Sequence, residues 1–169
     1  MLLQPPALVQ PQGWGPGGGS ILVTELGGEG YARVAPKLYM GSRPPEDPLL
    51  GTAFDVVVLC AQEYQPPQGA FGRAKIVRCP IDDAAPSQAE SQAIVETGTR
   101  VASAVRQGRR TLVTCHAGLN RSGVVTAYAL IVNGVHVREA IAMVRRARGS
   151  SALFNTHFVN LLRQLGRGA

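Results

Sequence analysis

The stretch "RRTLVTCHAGLNRSGVVTAYALIVNG" (residues 109–134) passes from a short apolar run, through a polar turn carrying glycine, into a longer apolar run. "RRTLVTC" (109–115) reads as a strand, and "RSGVVTAYALIVNG" (121–134) as an apolar helix with a glycine stop. Between them the chain must turn sharply, and Gly118 permits the dihedrals and the close backbone approach such a turn needs. A loop that enters a helix N-terminus presents unpaired N–H groups and the positive end of the helix dipole, which together hold anions. Arg121 adds a planar fork of donors suited to two phosphate oxygens at once. Cys115 stands at the mouth of this cradle, where the dipole and Arg121 favour the thiolate. A thiolate beneath a bound phosphate is a nucleophile aimed at phosphorus.

Working outward, the pattern alternates between strands and helices. "ARVAPKLYMG" (32–41) holds a short strand or two before the turn-rich "SRPPEDP". "FDVVVLCA" (54–61) is a continuous apolar run, as a strand buried on both faces would be, and "AKIVRCPI" (74–81) is another strand closed by proline. Pro86, Ser87 and Glu90 have the spacing of a capping box, which starts a helix expected to run to about Gln107, with Gly98 weakening its middle. "HVREAIAMVRRARG" (136–149) and "FNTHFVNLLRQLG" (154–166) have the periodicity of amphipathic helices. Such alternation implies an α/β fold with three layers, in which helices flank a central, mostly parallel sheet.

Composition bounds what else the chain can be. At 169 residues with 45% hydrophobic and 17% charged side chains, one core can form without disulfides or metals to supplement it. Residues 1–20 are dominated by proline, glycine and glutamine and read as a flexible tail, with residues 21–169 as the folded domain. Trp14 in that tail is either a docking anchor or an isolated apolar residue. The N-terminus has no basic n-region, and no apolar run is long enough to span a bilayer, so a cytoplasmic protein with no membrane partner is expected. Cys60, Cys79 and Cys115 make no disulfide framework. No Cys-x-x-Cys or His-x-x-x-His pair suggests a metal, and no cofactor is expected. Residues 101–169 carry 10 arginines and only Glu139 against them, a positive field that suits an anionic ligand such as a phosphoester or a nucleic acid.

Cys115-His-Ala-Gly-Leu-Asn-Arg121, followed by Ser122 and Gly123, resembles the Cys-x5-Arg signature of cysteine-dependent phosphatases. With "PKLYMGSRP" as an opening strand and "FNTHFVNLL" as a closing helix, residues 30–166 are similar to the small, atypical dual-specificity protein phosphatases. The resemblance implies hydrolysis of phosphotyrosine and phosphoserine/threonine monoesters on phosphoproteins through a cysteinyl-phosphate intermediate. Cys115 would attack, Arg121 and the backbone of His116, Ala117, Gly118, Leu119 and Asn120 would hold the phosphoryl oxygens, and Ser122 would ease departure of the sulfur. The family's proton donor is an aspartate about thirty residues before the cysteine. Asp82 and Asp83 lie 33 and 32 positions before Cys115. Strand alternation turns them to opposite faces, and the family's pattern points to Asp83.

Two departures and two additions complete the reading. The family usually carries histidine before the nucleophile, and this chain has Thr114, which supports a pseudophosphatase alternative that binds phosphate with little turnover. "GLNRSG" is also similar to the Gly-x-Asn-Arg-Thr-Gly of RNA 5′-triphosphatases through Asn120, which makes RNA the alternative substrate. "VVVLCAQEY" (56–64) resembles the strand of phosphatase-and-tensin-type proteins, whose cysteine pairs with the nucleophile, so Cys60 is either such a backdoor thiol or core packing; Cys79 reads as packing. The resemblance places Arg148, with Arg145, near the pocket mouth to meet a second anionic group, although solvated helical charge explains both equally well.

Overall fold

The structure, a computed structural model, describes residues 30–168, so the expectations for the N-terminal tail and Trp14 lie outside the described residues. The elements are β1 (Tyr31–Ala35), β2 (Leu38–Gly41), α1 (Leu50–Ala53), β3 (Val56–Ala61), β4 (Lys75–Ile81), α2 (Gln88–Arg106), β5 (Thr111–Thr114), α3 (Arg121–Val132), α4 (Val137–Arg148) and α5 (Thr156–Gly166). The sheet order is β1-β2-β5-β3-β4. β1 and β2 form an antiparallel hairpin, and the other three pairings are parallel.

The order places β5, the strand that ends just before Cys115, at the centre of the sheet. All four of its residues are buried, as are all six of β3 beside it. Continuous apolar runs are therefore buried on both faces, as their lack of alternation implies. α3 packs over β2, β5 and β3, with α2 on its β4 side and α4 on its β1 side. α1, Phe54 and Phe71 belong to the same buried cluster and close the opposite face. Among the described residues, no helix is long and apolar enough to cross a membrane.

The structure refines three local expectations. Pro80 does not close β4 but lies within it. β4 is an edge strand whose register shifts between Leu59 and Ala61 of its partner, and at such a place a missing N–H breaks no ladder bond. Gly98, expected to weaken α2, sits where that helix meets α3: a Cβ there would lie 2.6 Å from Tyr128 Cδ1. The capping box forms as read, with Glu90 N donating to Ser87 Oγ at 3.1 Å and Ser87 N donating to Glu90 Oε2 at 2.8 Å. Glu90 Oε1 also accepts the Asp82 N–H at 3.0 Å, so the start of α2 anchors the loop that carries both candidate acids.

Candidate active site

β5 delivers Cys115 to the C-terminal edge of the sheet, where parallel strands open their ends to ligands. The end of β2 holds the loop that follows. Cys115 N donates to Gly41 O at 3.4 Å, and Arg43 N donates to His116 O at 3.1 Å. Gly118 has φ +70, and a Cβ on it would lie 2.5 Å from the Gly41 carbonyl carbon and 2.6 Å from Ser42 N. Glycine is required twice over, for its dihedral and for its packing against backbone. The chain thereby curls around Cys115, whose residue is 4% exposed. Its Sγ accepts the Gly118 N–H at 3.2 Å and lies 3.2 Å from Ser122 Oγ. The N–H groups of His116, Ala117, Leu119 and Asn120 have no acceptor among the described residues, and α3 begins directly after them at Arg121, a cup-like arrangement able to receive an anion.

Arg121 is buried at the base of this cup, and its partner was not foreseen. Nη1 and Nη2 donate to the two carboxylate oxygens of Glu63 at 2.6 and 2.7 Å, and Nη1 also donates to Ile81 O at 3.3 Å. The guanidinium has five N–H bonds in one plane. These three contacts leave the Nε–H and one Nη2–H, the adjacent pair that suits two oxygens of one phosphoryl group. The Arg121 hydrogen bond lowers the Glu63 pKa to about 2, and the same pairing raises that of Arg121. The only sequence signal for Glu63 is an acid just after β3, a strand ending at the same sheet edge as β5.

Asp82 and Asp83 lie in the loop after β4 rather than in the strand, so alternation does not govern them, and their side chains take different partners. Asp82 Oδ1 accepts the Asp83 N–H at 2.8 Å, a local turn contact. Asp83 reaches the phosphate loop: Oδ2 accepts from Asn120 Nδ2 at 3.0 Å, and Oδ1 accepts from Asn155 Nδ2 at 2.8 Å. Asn155, the N-cap of α5, lies 72 positions from Asp83, and its place in "FNTHFVNLL" marks the closing helix without revealing that contact. Asn120 is 2% exposed, and its side-chain oxygen accepts the Asn155 N–H at 3.0 Å. Its amide is thus turned toward Asp83 and Asn155, and only its backbone N–H faces the cup.

Arg148 does not stand free at the pocket mouth. Its Nε donates to Gly118 O at 3.0 Å, Nη2 to Ala117 O at 3.3 Å and Nη1 to Gly30 O at 3.1 Å. When loop N–H groups turn toward an anion, the loop carbonyls turn outward and need donors, and Arg148 supplies them. Arg145 likewise donates to Ala152 O and Leu153 O, both at 3.1 Å. That segment in turn supports the loop, because Leu153 N donates to Leu119 O at 3.2 Å. His116 and Ala117 are exposed at the rim. Thr114 Oγ1 donates to Val58 O at 2.8 Å, so its hydroxyl serves the neighbouring strand. Cys60 is fully buried with a thiol pKa pushed up, first by its hydrogen bond to Cys79 and then by burial, and it lies near enough to Cys115 to feel that sulfur's charge.

A model of the dual specificity phosphatase catalytic domain matches residues 38–167 of the chain. No curated protein matches the sequence significantly. Among solved structures the chain is similar to Tk-PTP in its active form, with 26% identity and a TM-score of 0.70 over 82% of this chain and 97% of that one. Human DUSP28 is similar at 28% identity and a TM-score of 0.68, over 82% of this chain and 93% of that one. PTPMT1, at 17% identity, shares the fold with a TM-score of 0.67 over 82% of this chain and 94% of that one. The family match covers most of the chain, including the Cys115 loop and the sheet edge that carries it. The chain belongs to the dual-specificity phosphatase family and is a phosphatase domain on that family's three-layer α/β fold.

Proposed function

We propose that the protein hydrolyses phosphotyrosine and phosphoserine/threonine monoesters through a cysteinyl-phosphate intermediate. The observation that carries this reading is the Cys115 sulfur, 3.2 Å from both the Gly118 N–H and Ser122 Oγ, at the bottom of a cup of unpaired amides. The sulfur attacks phosphorus in line as the bond to the leaving oxygen breaks. Arg121 and the loop amides hold the three equatorial oxygens and the charge that builds on them. Asp83 gives its proton to the departing alkoxide or phenoxide, then takes one from the water that attacks the cysteinyl phosphate. Ser122 donates to the sulfur as it leaves in that second step. Phosphorus passes from substrate oxygen to sulfur to water, yielding the free hydroxyl compound and inorganic phosphate.

Asn120, the residue shared with RNA 5′-triphosphatases, spends its side chain on Asp83 and Asn155, and an RNA substrate stays the alternative reading. Thr114, the departure behind a pseudophosphatase reading, keeps its hydroxyl on Val58 and leaves every contact to the sulfur in place. Cys60 is a candidate backdoor thiol, the other reading being core packing against Cys79: as a backdoor thiol it would be joined to Cys115 by mild peroxide, with Cys79 as its competing partner. Peptide mapping after peroxide distinguishes a Cys60–Cys115 from a Cys60–Cys79 disulfide.

Two measurements test the main reading. Phosphotyrosyl and phosphoseryl peptides, 5′-triphosphorylated RNA and phosphoinositides are assayed side by side, and the peptides are expected to turn over fastest. A denaturing quench during turnover, followed by mass spectrometry, is expected to find phosphate on Cys115. Preference for RNA, or turnover with no phosphate on that sulfur, overturns it.

A further inference from the structure

We infer that Asn155 is a positioning residue for proton transfer, holding the Asp83 carboxyl over the phosphate cup together with Asn120. The inference rests on the reading of Asp83 as the proton donor. Asp83 is exposed, on a short loop between β4 and α2, and its carboxylate oxygens accept from Asn120 and Asn155 rather than from that loop's own backbone. Both of its fixed contacts come from amides remote in sequence.

The direction of those contacts is not open to an amide flip. Asn155 Oδ1 accepts the His157 N–H at 3.0 Å as the N-cap of α5, and a backbone N–H can only donate. Nδ2 of Asn155 must then be the atom that faces Asp83, at 2.8 Å, and Ala84 O, at 3.2 Å. Asn120 is fixed in the same way, because its Oδ1 accepts the Asn155 backbone N–H at 3.0 Å. Its Nδ2 therefore faces Asp83, at 3.0 Å. The three residues close a ring in which each amide is oriented by a main-chain donor and presents a donor to one carboxylate oxygen.

Asn120 has a second distinction. It occupies the N-cap position of α3, where asparagine is among the favoured capping residues, yet its side chain makes no capping hydrogen bond. The amide has been diverted from its own helix to the carboxylate. Each Asp83 oxygen retains a further lone pair, so the ring leaves a place for the proton while fixing the plane in which it is offered. With the Asn155 amide removed, the carboxyl would pivot about one hydrogen bond. A proton donor displaced by even a fraction of its working distance loses much of its effect.

The test uses Asn155→Ser in the full chain, because serine keeps a capping oxygen but lacks an amide that reaches Asp83. Rates are measured on aryl phosphates whose leaving phenols range from weakly to strongly acidic. Asn155→Ser is expected to lower kcat about tenfold for the poorest leaving group, a fraction of what general acid catalysis supplies, and less than about twofold for the best. KM and the inhibition constant of vanadate should be unchanged. In an Asp83→Asn background the same substitution should have no further effect on leaving-group dependence. An equal fall across the whole series, or an additive effect in the double variant, overturns the inference. If Asp83→Asn itself leaves the poor leaving groups unaffected, the reading of Asp83 fails instead. Asn155→Thr, which also keeps a capping oxygen, loses the amide donor and adds no charge beside Asp83, gives the same readout should the serine variant fold poorly.

Discussion

The two halves of the site are built differently. The half proposed to hold the phosphate is continuous: Cys115, the loop amides, Arg121 and Ser122 fall within eight consecutive residues, and the contacts to the sulfur come from Gly118 and Ser122. The half proposed to orient donors and move protons is assembled from three separate places, with Glu63 after β3, Asp83 after β4 and Asn155 before α5 meeting Arg121 and Asn120 of the loop. A cup of backbone amides can be made by one turn entering one helix. Fixing a guanidinium and a carboxyl at defined angles requires partners on different strands. One consequence is that damage to the continuous half should remove activity outright, whereas damage to the assembled half should lower it by amounts that depend on the substrate.

The largest effect belongs to the sulfur. Cys115→Ser is expected to reduce hydrolysis of an aryl phosphate by more than about a thousandfold, because a serine hydroxyl with the same neighbours is not ionised. Vanadate or phosphate binding should survive, since the amides and Arg121 remain. Steady-state rates and a binding titration check both halves of the statement. Loss of binding alongside activity would mean that the sulfur also holds the loop in shape.

Next is Asp83→Asn, expected to slow poor leaving groups by about a hundredfold and good ones far less. Asp82→Asn should do little, because Asp82 Oδ1 is occupied by the Asp83 N–H and the side chain makes no contact with the phosphate loop. A larger effect from Asp82→Asn would move the proton donor by one residue and break the comparison at its centre.

What the sequence made legible follows the same division. The strand–loop–helix around Cys115 could be read because its periodicities, its glycine and its arginine are neighbours, and local pattern is what a chain displays directly. Glu90 and Ser87 were equally readable, since a capping box is a local motif. Glu63 and Asn155 were not, because nothing in "AQEY" or "FNTH" reveals that β3 ends, and α5 begins, beside the loop after β5; that is a property of strand order and helix packing. Arg148 was readable as a residue near the loop, but its orientation depends on which way the loop carbonyls turn, and no side-chain pattern records that.

Glu63→Ala is expected to lower kcat about tenfold, to an equal degree for good and poor leaving groups, because it acts through the orientation of Arg121. That flat response separates it from Asp83→Asn. The pH behaviour has a definite sign. The folded-state pKa of about 2 lies below the ordinary 4.5, so the stabilising pairing is complete above about pH 4.5 and is lost as pH falls through 2. The Glu63 side chain is 47% exposed, and solvent screening reduces what the pair contributes to stability. Any change in kcat between pH 5 and 8 should therefore persist unaltered in Glu63→Ala. A lost or displaced limb in that range would tie Glu63 to the titration of the site.

The smallest expected change in activity tests where the continuous half begins. Thr114 is the last residue of β5 and adjoins the nucleophile, yet its hydroxyl donates to Val58 O at 2.8 Å, inside the sheet and away from the sulfur. Thr114→Val keeps the shape of the side chain and removes that donor, leaving a buried carbonyl with one partner fewer. Such a loss costs about 1–3 kcal/mol in stability. The loop itself should not register it, because the Gly118 and Ser122 contacts to Sγ do not pass through the threonine. Thr114→Val is thus expected to show a lower denaturation midpoint with kcat and KM within about twofold of the parent, and Thr114→Ser to recover the midpoint. Chemical denaturation and steady-state kinetics on the three proteins decide it. A fall in kcat without a fall in stability would place Thr114 in the catalytic loop, and the boundary between strand and cradle would move back by one residue.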